Sequence, residues 1–590
     1  REPTDREYSA MEREASGDTR ARKTGLGVSE LRARWDREAA AVGHDPIGVV
    51  ETVNAEARRN PTEASTVAVA DVLELLAERR STWNRLDVMR AICDLARPQP
   101  GHDATTWARA IDRSVDTVLD TCIDLDPTKG IARRRTSDGR ALHIEPVAAQ
   151  ATSEHIIAQE ERIITWALDA QSTEPAPATT IDDRSLDDAQ HAAASAVAGQ
   201  DRLVLVVGPA GAGKTRTLAA ARADLARHAR PVIGVAPTAT AAQTLTTEAG
   251  VPADTFAKFL RDLEEPTPAA VWRDPGPGAT IVVDEAGMVN TPDLARLVEH
   301  AEQRGWRLAL IGDPDQLQPV GRGGMFAELC HTGRPVELDT LHRFTHRWEA
   351  DASLLLRAGD TSVLDIYLQH ERIRAGGIDE HLDAIAAVWM RCQSVGEALS
   401  ITTSRNEHVA AINRHIQTVR AAAGQLDPTT AVHISGGVAL VNDVVATRLN
   451  DRRLRTTVGD GIRNRERWTV THTHHGGALT VSRANGHGSI TLPADYVREH
   501  VELAYATTEH GAQGHTADRS ITLTTPATTG RNLYVGMSRG RTSNHALVVT
   551  ETPELAEAIS VLEAAMAIDR ADIPAVAHRR ALAATRGPAV

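Results

Sequence analysis

The chain of 590 residues contains few cysteines and aromatic residues, little lysine, and no excess of positive charge. Its four cysteines form no CxxC pair, so neither a zinc site nor a disulfide framework is indicated. We find no signal peptide and no apolar run long enough to span a bilayer, which excludes a membrane role and predicts a soluble, cytoplasmic protein. With a net charge of −14, any polyanion site must be a local groove.

Lysine is so rare that its positions are informative. Only four lysines occur among the 65 basic residues, and one of them is Lys214. A chain that otherwise uses arginine keeps lysine where a compact point charge is needed. This favours a chemical role for Lys214, although a GC-rich genome produces the same bias.

The N-terminal part of the chain predicts helices after a charged spacer. Helical patterns cover Val67–Glu78, Leu86–Leu95 with Ser81 as the N-cap, and Trp107–Cys122. Ile131–Ile144 has the alternation and the Asp-Gly turn of a β-hairpin. Three helices and a basic hairpin predict either a winged helix or a plain helical packing domain, and the pattern leaves both open.

The middle and end of the chain predict an α/β architecture. Apolar β-runs alternate with helical segments, which is typical of a parallel, doubly wound sheet. The first set of strands is predicted at 203–207, 232–235, 281–283 and 308–311, and a second set at 399–402, 520–524 and 546–550. Residues 430–500 switch to short alternating runs with many turns, which predicts a small β-barrel inserted into the second set.

A glycine-rich turn follows the first apolar strand and leads directly into a helix. Strand, turn and helix in this order form a phosphate-binding loop, in which backbone N–H groups and the helix N-terminus face an anion. The loop consists of Gly208, Pro209, Ala210, Gly211, Ala212, Gly213, Lys214 and Thr215. Lys214 is expected to reach the β- and γ-phosphates, and the Thr215 hydroxyl to bind Mg²⁺.

Two later strands end in polar side chains. Asp284 and Glu285 follow the run 281–283, where the first carboxylate can hold Mg²⁺ and the second can activate water. A helix cap is the alternative for such a strand end. Gln316, in Gly312-Asp-Pro-Asp-Gln-Leu, follows the next strand and could sense the γ-phosphate. The stretch 505–516 precedes a late strand, and 533–541 follows it and would project an arginine.

These motifs, in this order, resemble superfamily 1 helicases of the RecD-like branch. The wording Asp-Glu-Ala-Gly-Met-Val, Gly-Asp-Pro-Asp-Gln-Leu and Tyr-Val-Gly-Met-Ser-Arg-Gly-Arg resembles the helicase half of conjugative relaxase–helicases of the TraI/TrwC type (the MobF family). The resemblance covers about residues 183–555 and rests on several motifs in order, which makes it far more specific than a lone phosphate-binding loop.

The resemblance implies further roles. Gln190 would read the adenine of ATP, and Arg343 and Arg539 would reach ATP from the second domain as arginine fingers. For Arg343, a structural salt bridge is the alternative. The expected cofactors are ATP and Mg²⁺, and the expected partners are single-stranded DNA and the conjugation machinery. The DNA path would be lined by Pro237, Thr238, Thr255, Thr508, His510 and Gln513.

The expected fold class is α/β, with two RecA-like P-loop domains, an inserted SH3-like β-barrel and a mainly helical N-terminal region. The predicted boundaries are a spacer (1–65), a helical or winged-helix-like domain (66–165), a linker (166–182), the first RecA-like domain (183–335), the second in two parts (336–429 and 501–555), the β-barrel (430–500) and a C-terminal tail (556–590).

The sequence departs from the relaxases in one respect. Those proteins carry an N-terminal nicking domain with catalytic tyrosines and a histidine cluster, whereas this chain has an isolated Tyr8 and no such cluster in its first 180 residues. His472-Thr-His474-His475 has metal-like spacing but favours a solvated turn. Any nicking domain is expected upstream of Arg1.

We expect an ATP-dependent DNA helicase that moves 5′→3′ on single-stranded DNA as part of a conjugative relaxase. A stand-alone RecD-like repair helicase and a P-loop ATPase that remodels protein without DNA are the alternatives.

Overall fold

The computed structural model describes residues 67–96, 104–125, 150–171, 183–265, 275–483 and 488–584, together with positions 35, 37 and 181. The chain forms two compact units. The smaller includes Trp83–Asp124, and the described residues from Thr152 onward belong to the larger. The predicted hairpin at 131–144 and most of the predicted linker lie outside the described residues, so the winged helix stays a prediction.

The elements before the first sheet are mainly helical. They are α1 (Val69–Arg79), α2 (Arg85–Leu95), α3 (Ala104–Asp120), the short strands β1 (Ile123–Asp124) and β2 (Ala151–Thr152), and α4 (Glu154–Ala170). The three helices predicted in this region are therefore present, with ends shifted by one to three residues.

In the smaller unit, α2 and α3 pack against each other. Their facing sides bury apolar residues such as Val88 and Val115, and Arg85 forms a salt bridge with Asp112 (3.1 Å). The N-cap of α2 is Asn84, whose side chain accepts from the N3 amide while the N3 aspartate caps it in return. The N-cap prediction for Ser81 is therefore wrong.

The first part of the larger unit alternates helices with parallel strands. Its elements are α5 (Asp188–Ala198), β3 (Leu203–Val207), α6 (Lys214–Arg227), β4 (Val232–Ala236), α7 (Ala239–Glu248), β5 (Ala253–Thr255), α8 (Phe256–Glu264), β6 (Thr280–Val283), α9 (Thr291–Arg304), β7 (Arg307–Gly312), α10 (Met325–Thr332) and β8 (Pro335–Glu337).

The strands form a six-stranded parallel sheet in the order β5-β4-β6-β7-β3-β8. Strand β3 is apolar throughout and fully buried, as expected when helices cover both faces of a parallel sheet. Because all strands run the same way, the segments after β3, β6 and β7 lie at one edge. The predicted boundary at residue 335 falls within β8, so this sheet continues two residues past it.

The second part contributes a four-stranded parallel sheet in the order β10-β20-β21-β9. Its elements are α11 (Arg347–Arg357), α12 (Val363–Gln369), β9 (Ile373–Gly376), α13 (Ile378–Val395), β10 (Leu399–Thr403), α14 (Asn406–Ala422), α16 (Glu509–Ala512), β20 (Ala517–Thr524), α17 (Gly530–Gly536), β21 (Gly540–Val549), α18 (Leu555–Ala567) and α19 (Ala575–Ala584). The α/β class with parallel sheets is therefore confirmed.

Between α14 and α16 lies a set of short antiparallel strands. They are β11 (Val432–Ile434), β12 (Gly437–Ala439), β13 (Val444–Thr447), β14 (Asp451–Arg455), β15 (Gly461–Ile462), β16 (Arg467–Thr473), β17 (Leu479–Arg483), β18 (Ser489–Leu492) and β19 (Val501–Leu503), with helix α15 (Ala494–His500) before β19. Five strands form the sheet β18-β17-β16-β13-β19, and β11-β12 and β14-β15 form hairpins. Buried Trp468 and Val470 anchor this sheet to the core of the neighbouring helices.

Candidate functional site

The glycine-rich turn after β3 has the backbone shape that a phosphate-binding loop needs. Gly211 and Gly213 adopt left-handed conformations (φ +90° and +80°), and Gly213 caps the N-terminus of α6. A side chain on Gly211 would have no space, because its Cβ would lie 2.5 Å from the Cβ of Arg343. The predicted loop therefore begins at the end of a buried strand and ends at a helix N-terminus.

Lys214 and Gln190 both contact this loop. The Lys214 Nζ donates to the carbonyl of Gly208 (2.8 Å), which holds the ammonium against the loop. Gln190 is almost fully buried; its Oε1 accepts from the Asp187 N–H (3.2 Å), and its Nε2 donates to the Ala212 carbonyl (3.2 Å). Gln190 thus holds the main chain of the loop at Ala212. Its predicted role in reading adenine stays a prediction.

Two carboxylates follow β6 at the same edge of the sheet. The Asp284 N–H continues the ladder by donating to the Val235 carbonyl (3.0 Å). Burial and the charge of Glu285 together raise the pKa of Asp284 to about 7, and the charge of Lys214 opposes this shift. The electrostatic contact places Asp284 beside Lys214, as the motif order predicts.

Glu285 has a strained backbone. It adopts a left-handed conformation (φ +51°, ψ 45°), which is uncommon for a residue with a side chain and costs on the order of 1–3 kcal/mol. Such strain persists where the surrounding structure fixes it, often at functional sites. Here it turns the chain directly after Asp284, between the end of β6 and the short 3₁₀ turn Ala286–Met288.

The residues present fit a hard cation. Asp284 is a half-buried carboxylate next to the phosphate-binding loop, and half-buried Thr215 lies in the first turn of α6, so both offer oxygen ligands of the kind Mg²⁺ prefers. Within the described ranges, no group of three His, Cys, Asp or Glu side chains is arranged as a metal site; His472 lies in β16, and His474 and His475 lie at the hairpin turn that follows.

Two arginines converge on Glu285. Arg343 and Arg539 both interact electrostatically with this carboxylate, and burial lowers the pKa of both guanidinium groups. Burial lowers the pKa of Arg343 to about 9, with repulsion from Arg539 as the next cause. The structure therefore brings together the two side chains that lie far apart in the sequence.

The two arginines arrive from different places. Arg539 follows α17 in the second sheet and is 2% exposed; its Nε donates to the Val535 carbonyl (2.8 Å) and its Nη1 to the His515 carbonyl (3.4 Å). Arg343 lies in the connection between the two sheets and donates to the Ser538 carbonyl (2.7 Å) rather than to a carboxylate.

That connection is held at both ends by main-chain hydrogen bonds. The His342 N–H donates to the Gly211 carbonyl (2.8 Å), and the Thr345 N–H donates to the Arg541 carbonyl (2.8 Å). The expectation that Arg343 reaches the site from the second domain is therefore modified, because its segment runs along the phosphate-binding loop itself.

Gln316 is buried and both ends of its amide are occupied. Its Nε2 donates to Asp313 Oδ2 (3.2 Å), and its Oε1 accepts from Gln513 Nε2 (3.3 Å). Gln513, predicted to contact DNA, is therefore 8% exposed and packed against Gln316, with its own Oε1 unpaired among the described residues. His510 Nε2 lies 3.3 Å from the Gln318 carbonyl in the same region.

The predicted DNA-path threonines share one structural role. Thr238, Thr255 and Thr508 are the N-caps of α7, α8 and α16, and their hydroxyls accept from backbone N–H groups of the first turns. Pro237 is the residue before the first of these caps. Helix N-termini favour phosphate groups, so these positions are compatible with the predicted role without testing it.

Sequence reasoning missed an arginine-rich surface of the larger unit. Three neighbouring cavities of about 440, 540 and 310 Å³ share lining residues: Gln243 and Arg463 join the first two, and Arg465, Arg467 and His515 the last two. We call them the basic groove. Its arginines from the antiparallel strands and their turns are Arg448, Arg452, Arg455, Arg463, Arg465, Arg467 and Arg483.

Some of these arginines are paired and others are not. Arg452 binds Asp254 (2.7 Å), and Arg483 binds Glu466 (2.8 Å). Arg465 and Arg467 form no salt bridge with a carboxylate in the described part of the chain. Arg463, Arg465 and Arg467 are close together in the sequence, but residues 463–466 form the turn between β15 and β16, in which Arg465 has a left-handed backbone (φ +64°).

The comparisons with known proteins agree with this geometry. Residues 185–377, which contain the phosphate-binding loop, both carboxylates and Arg343, match the family described as AAA domain. A probable conjugal transfer protein TraA of Sinorhizobium fredii is 29% identical over 361 residues, which are 60% of this chain and 32% of that protein.

The other similarities are shorter or weaker. RecBCD enzyme subunit RecD of Mycolicibacterium smegmatis is 36% identical over 199 residues, 29% of this chain and 35% of that protein. The solved Pif1 helicase of Candida albicans is 14% identical with a TM-score of 0.44, over 68% of this chain and 99% of that one. The chain therefore spans about a third of the length of the curated relatives it matches.

The resemblance drawn from the motifs is confirmed. The chain is similar to the conjugal transfer proteins TraA and to RecD, which are the two groups that the motif wording indicates. In the described part of the chain, the helices are all too short or too polar to cross a membrane.

Proposed function

We propose that this protein is an ATP-dependent DNA helicase that translocates 5′→3′ on single-stranded DNA, and that it forms the helicase part of a conjugative-transfer relaxase. The similarity to TraA over more than half of the chain supports the conjugative assignment. The RecD-like resemblance supports the direction. We also propose that the two parallel sheets are RecA-like domains and that the antiparallel strands between residues 430 and 500 form an SH3-like barrel.

One observation carries the proposal. His515 lines the basic groove, and its main-chain carbonyl accepts a hydrogen bond from Arg539 (Nη1–O 3.4 Å), whose charge interacts with Glu285. A single residue therefore touches both the polyanion groove and the arginine of the ATP site. A translocating helicase needs such a contact, because the state of the bound nucleotide must change the affinity for the DNA strand.

We propose the following roles at the ATP site. The loop amides and Lys214 would hold the phosphates, and Thr215 and Asp284 would hold Mg²⁺, which would neutralise phosphate charge. Glu285 accepts a proton from the attacking water. Arg343 and Arg539 neutralise charge that develops on the phosphate oxygens.

The basic groove suits a single strand read without sequence preference. Arginines contact backbone phosphates electrostatically, and Thr255, the N-cap of α8, also lines the groove. The guanidinium groups of Arg465 and Arg467 can bind phosphates, because neither forms a salt bridge within the described residues.

The test is ATP hydrolysis and unwinding. Single-stranded DNA should stimulate hydrolysis, and a duplex with a 5′ single-stranded tail should be unwound in preference to one with a 3′ tail. Lys214→Ala is the inactive control. Preference for the 3′ tail would refute the direction. Hydrolysis indifferent to DNA would favour the protein-remodelling ATPase instead.

A further inference from the structure

A buried tyrosine bridges the two sheets at the ATP site. Tyr534, on α17 of the second part, is 1% exposed. Its hydroxyl accepts from the N–H of Ala210 in the phosphate-binding loop (3.1 Å) and donates to Asp313 Oδ2, after β7 (2.8 Å). One hydroxyl group thus uses an acceptor and a donor position to connect three separate chain segments.

The carboxylate of Asp313 extends this connection. Its Oδ2 also accepts from Gln316 Nε2 (3.2 Å), and its Oδ1 accepts from Arg357 Nε (2.9 Å). Gln316 in turn accepts from Gln513 (3.3 Å). The result is a continuous hydrogen-bonded series from the phosphate-binding loop to Gln513, within three residues of the groove residue His515.

We propose that Tyr534 is a positioning residue, which couples the orientation of the Gln316 amide to the phosphate-binding loop; this inference rests on the proposed function of the ATP site. Asp313 Oδ2 is shared by the Tyr534 hydroxyl and the Gln316 amide, so displacement of either donor changes the charge that the other experiences. When the loop shifts around a nucleotide, Ala210 carries Tyr534 with it, and Gln316 is released from Asp313 or held there accordingly.

A purely structural role predicts something different. If the hydroxyl only filled two hydrogen-bonding positions, its removal would lower stability and leave the effects of Tyr534 and Gln513 independent. Coupling instead requires that the two substitutions be non-additive in turnover, because both act on the same amide of Gln316.

The experiment is a double-mutant cycle with Tyr534→Phe and Gln513→Met. Phenylalanine keeps the ring in place and removes only the hydroxyl, and methionine keeps the length of the side chain and removes the N–H. We expect Tyr534→Phe to lower kcat about tenfold, the factor that one such hydrogen bond to a carboxylate accounts for, with KM for ATP changed by less than about twofold. In the double variant we expect a loss at least about threefold smaller than the product of the single losses.

Tyr367→Phe is the matched control. Tyr367 is 2% exposed and lies in the same apolar cluster as Tyr534, but its hydroxyl has no hydrogen-bond partner in the described ranges. It should leave kcat unchanged. Melting temperatures of all variants separate loss of fold from loss of coupling.

Three results would overturn the inference: unchanged kcat in Tyr534→Phe, a raised KM with kcat intact, or losses that multiply in the double variant. The cycle is measured without DNA and with saturating single-stranded DNA. If the parent protein hydrolyses ATP but ignores DNA, the proposed helicase function fails, while the cycle without DNA still decides the role of Tyr534.

Discussion

Replacement of Arg465 and Arg467 by alanine should weaken DNA binding in a way that depends on salt. Both line the basic groove, where they belong to two of its cavities, and neither is paired with a carboxylate in the described part of the chain. Their charges are therefore available to phosphates. Each phosphate contact on a single strand contributes about 0.7 to the slope of log affinity against log salt.

Two lost contacts should reduce the steepness of that slope by about 1.4. Between 50 and 200 mM salt the parent protein would then lose about sevenfold more affinity than the double variant does, as these values imply. The assay is fluorescence anisotropy of a labelled oligothymidine at four or more salt concentrations, with circular dichroism to check the fold.

Arg453→Ala is the control for this experiment. Arg453 lies on β14, is 91% exposed and is paired with Asp451 (2.9 Å), and it is not among the groove-lining residues. It should leave the slope unchanged. An unaltered slope in the double variant, or an equal change in Arg453→Ala, would show that the groove is not the path of the strand.

Further predictions concern the ATP site and a buried carboxyl. Glu285→Gln keeps the shape but cannot accept a proton, so turnover should fall by a factor of about 10²–10⁴ in steady-state ATPase assays, with nucleotide binding retained; normal turnover would assign the base elsewhere. Arg539→Ala should lower DNA-stimulated turnover by about 10³ or more, and Arg539→Lys should restore little because an ammonium cannot replace the guanidinium fork; near-normal turnover would remove Arg539 from the site. Burial raises the pKa of Glu160 from 4.5 to about 7, with Arg322 opposing and Asp572 reinforcing the shift. The folded state thus binds the proton more tightly than the unfolded state, so the parent protein loses stability as pH rises from about 4.5 toward 7. Glutamine at position 160 does not titrate. Between pH 5 and pH 8, thermal unfolding should therefore show the free energy of unfolding of Glu160→Gln rising relative to that of the parent by on the order of 2 kcal/mol. A pH-independent difference would contradict this.

The parts of the fold and site that the sequence predicted depend on local pattern. The phosphate-binding loop could be predicted because its elements are contiguous in the chain. They are a buried apolar strand, a turn with glycines at left-handed positions and a following helix. The position of the carboxylates after β6 could be predicted as well, since the strands of a parallel sheet end at one edge. Short edge strands such as β5, β8 and β9, with three or four residues each, carry too little pattern to be recognised.

The parts that were missed depend on distant contacts. Ser81 has the side chain of an N-cap, yet its Oγ donates to Asp572 (2.8 Å), 491 residues away, and Asn84 caps the helix instead. The basic groove combines α7 and α8 with strands about 200 residues later, so no single stretch reveals it. Gln513 was assigned to DNA from its motif, but its partner Gln316 is 197 residues away.

The anchored connection at residues 342–345 limits how the two sheets can separate. One end, His342, is bonded to Gly211 and the other, Thr345, to Arg541, with only two residues between these anchors. Three extended residues reach about 10 Å, so while both bonds persist the cleft cannot open here by more than that distance. The cleft must then open by rotation about residues 342–345. The largest displacements fall on the side of the cleft away from these residues. A small rotation at this connection therefore produces a large displacement at the far edge of the cleft.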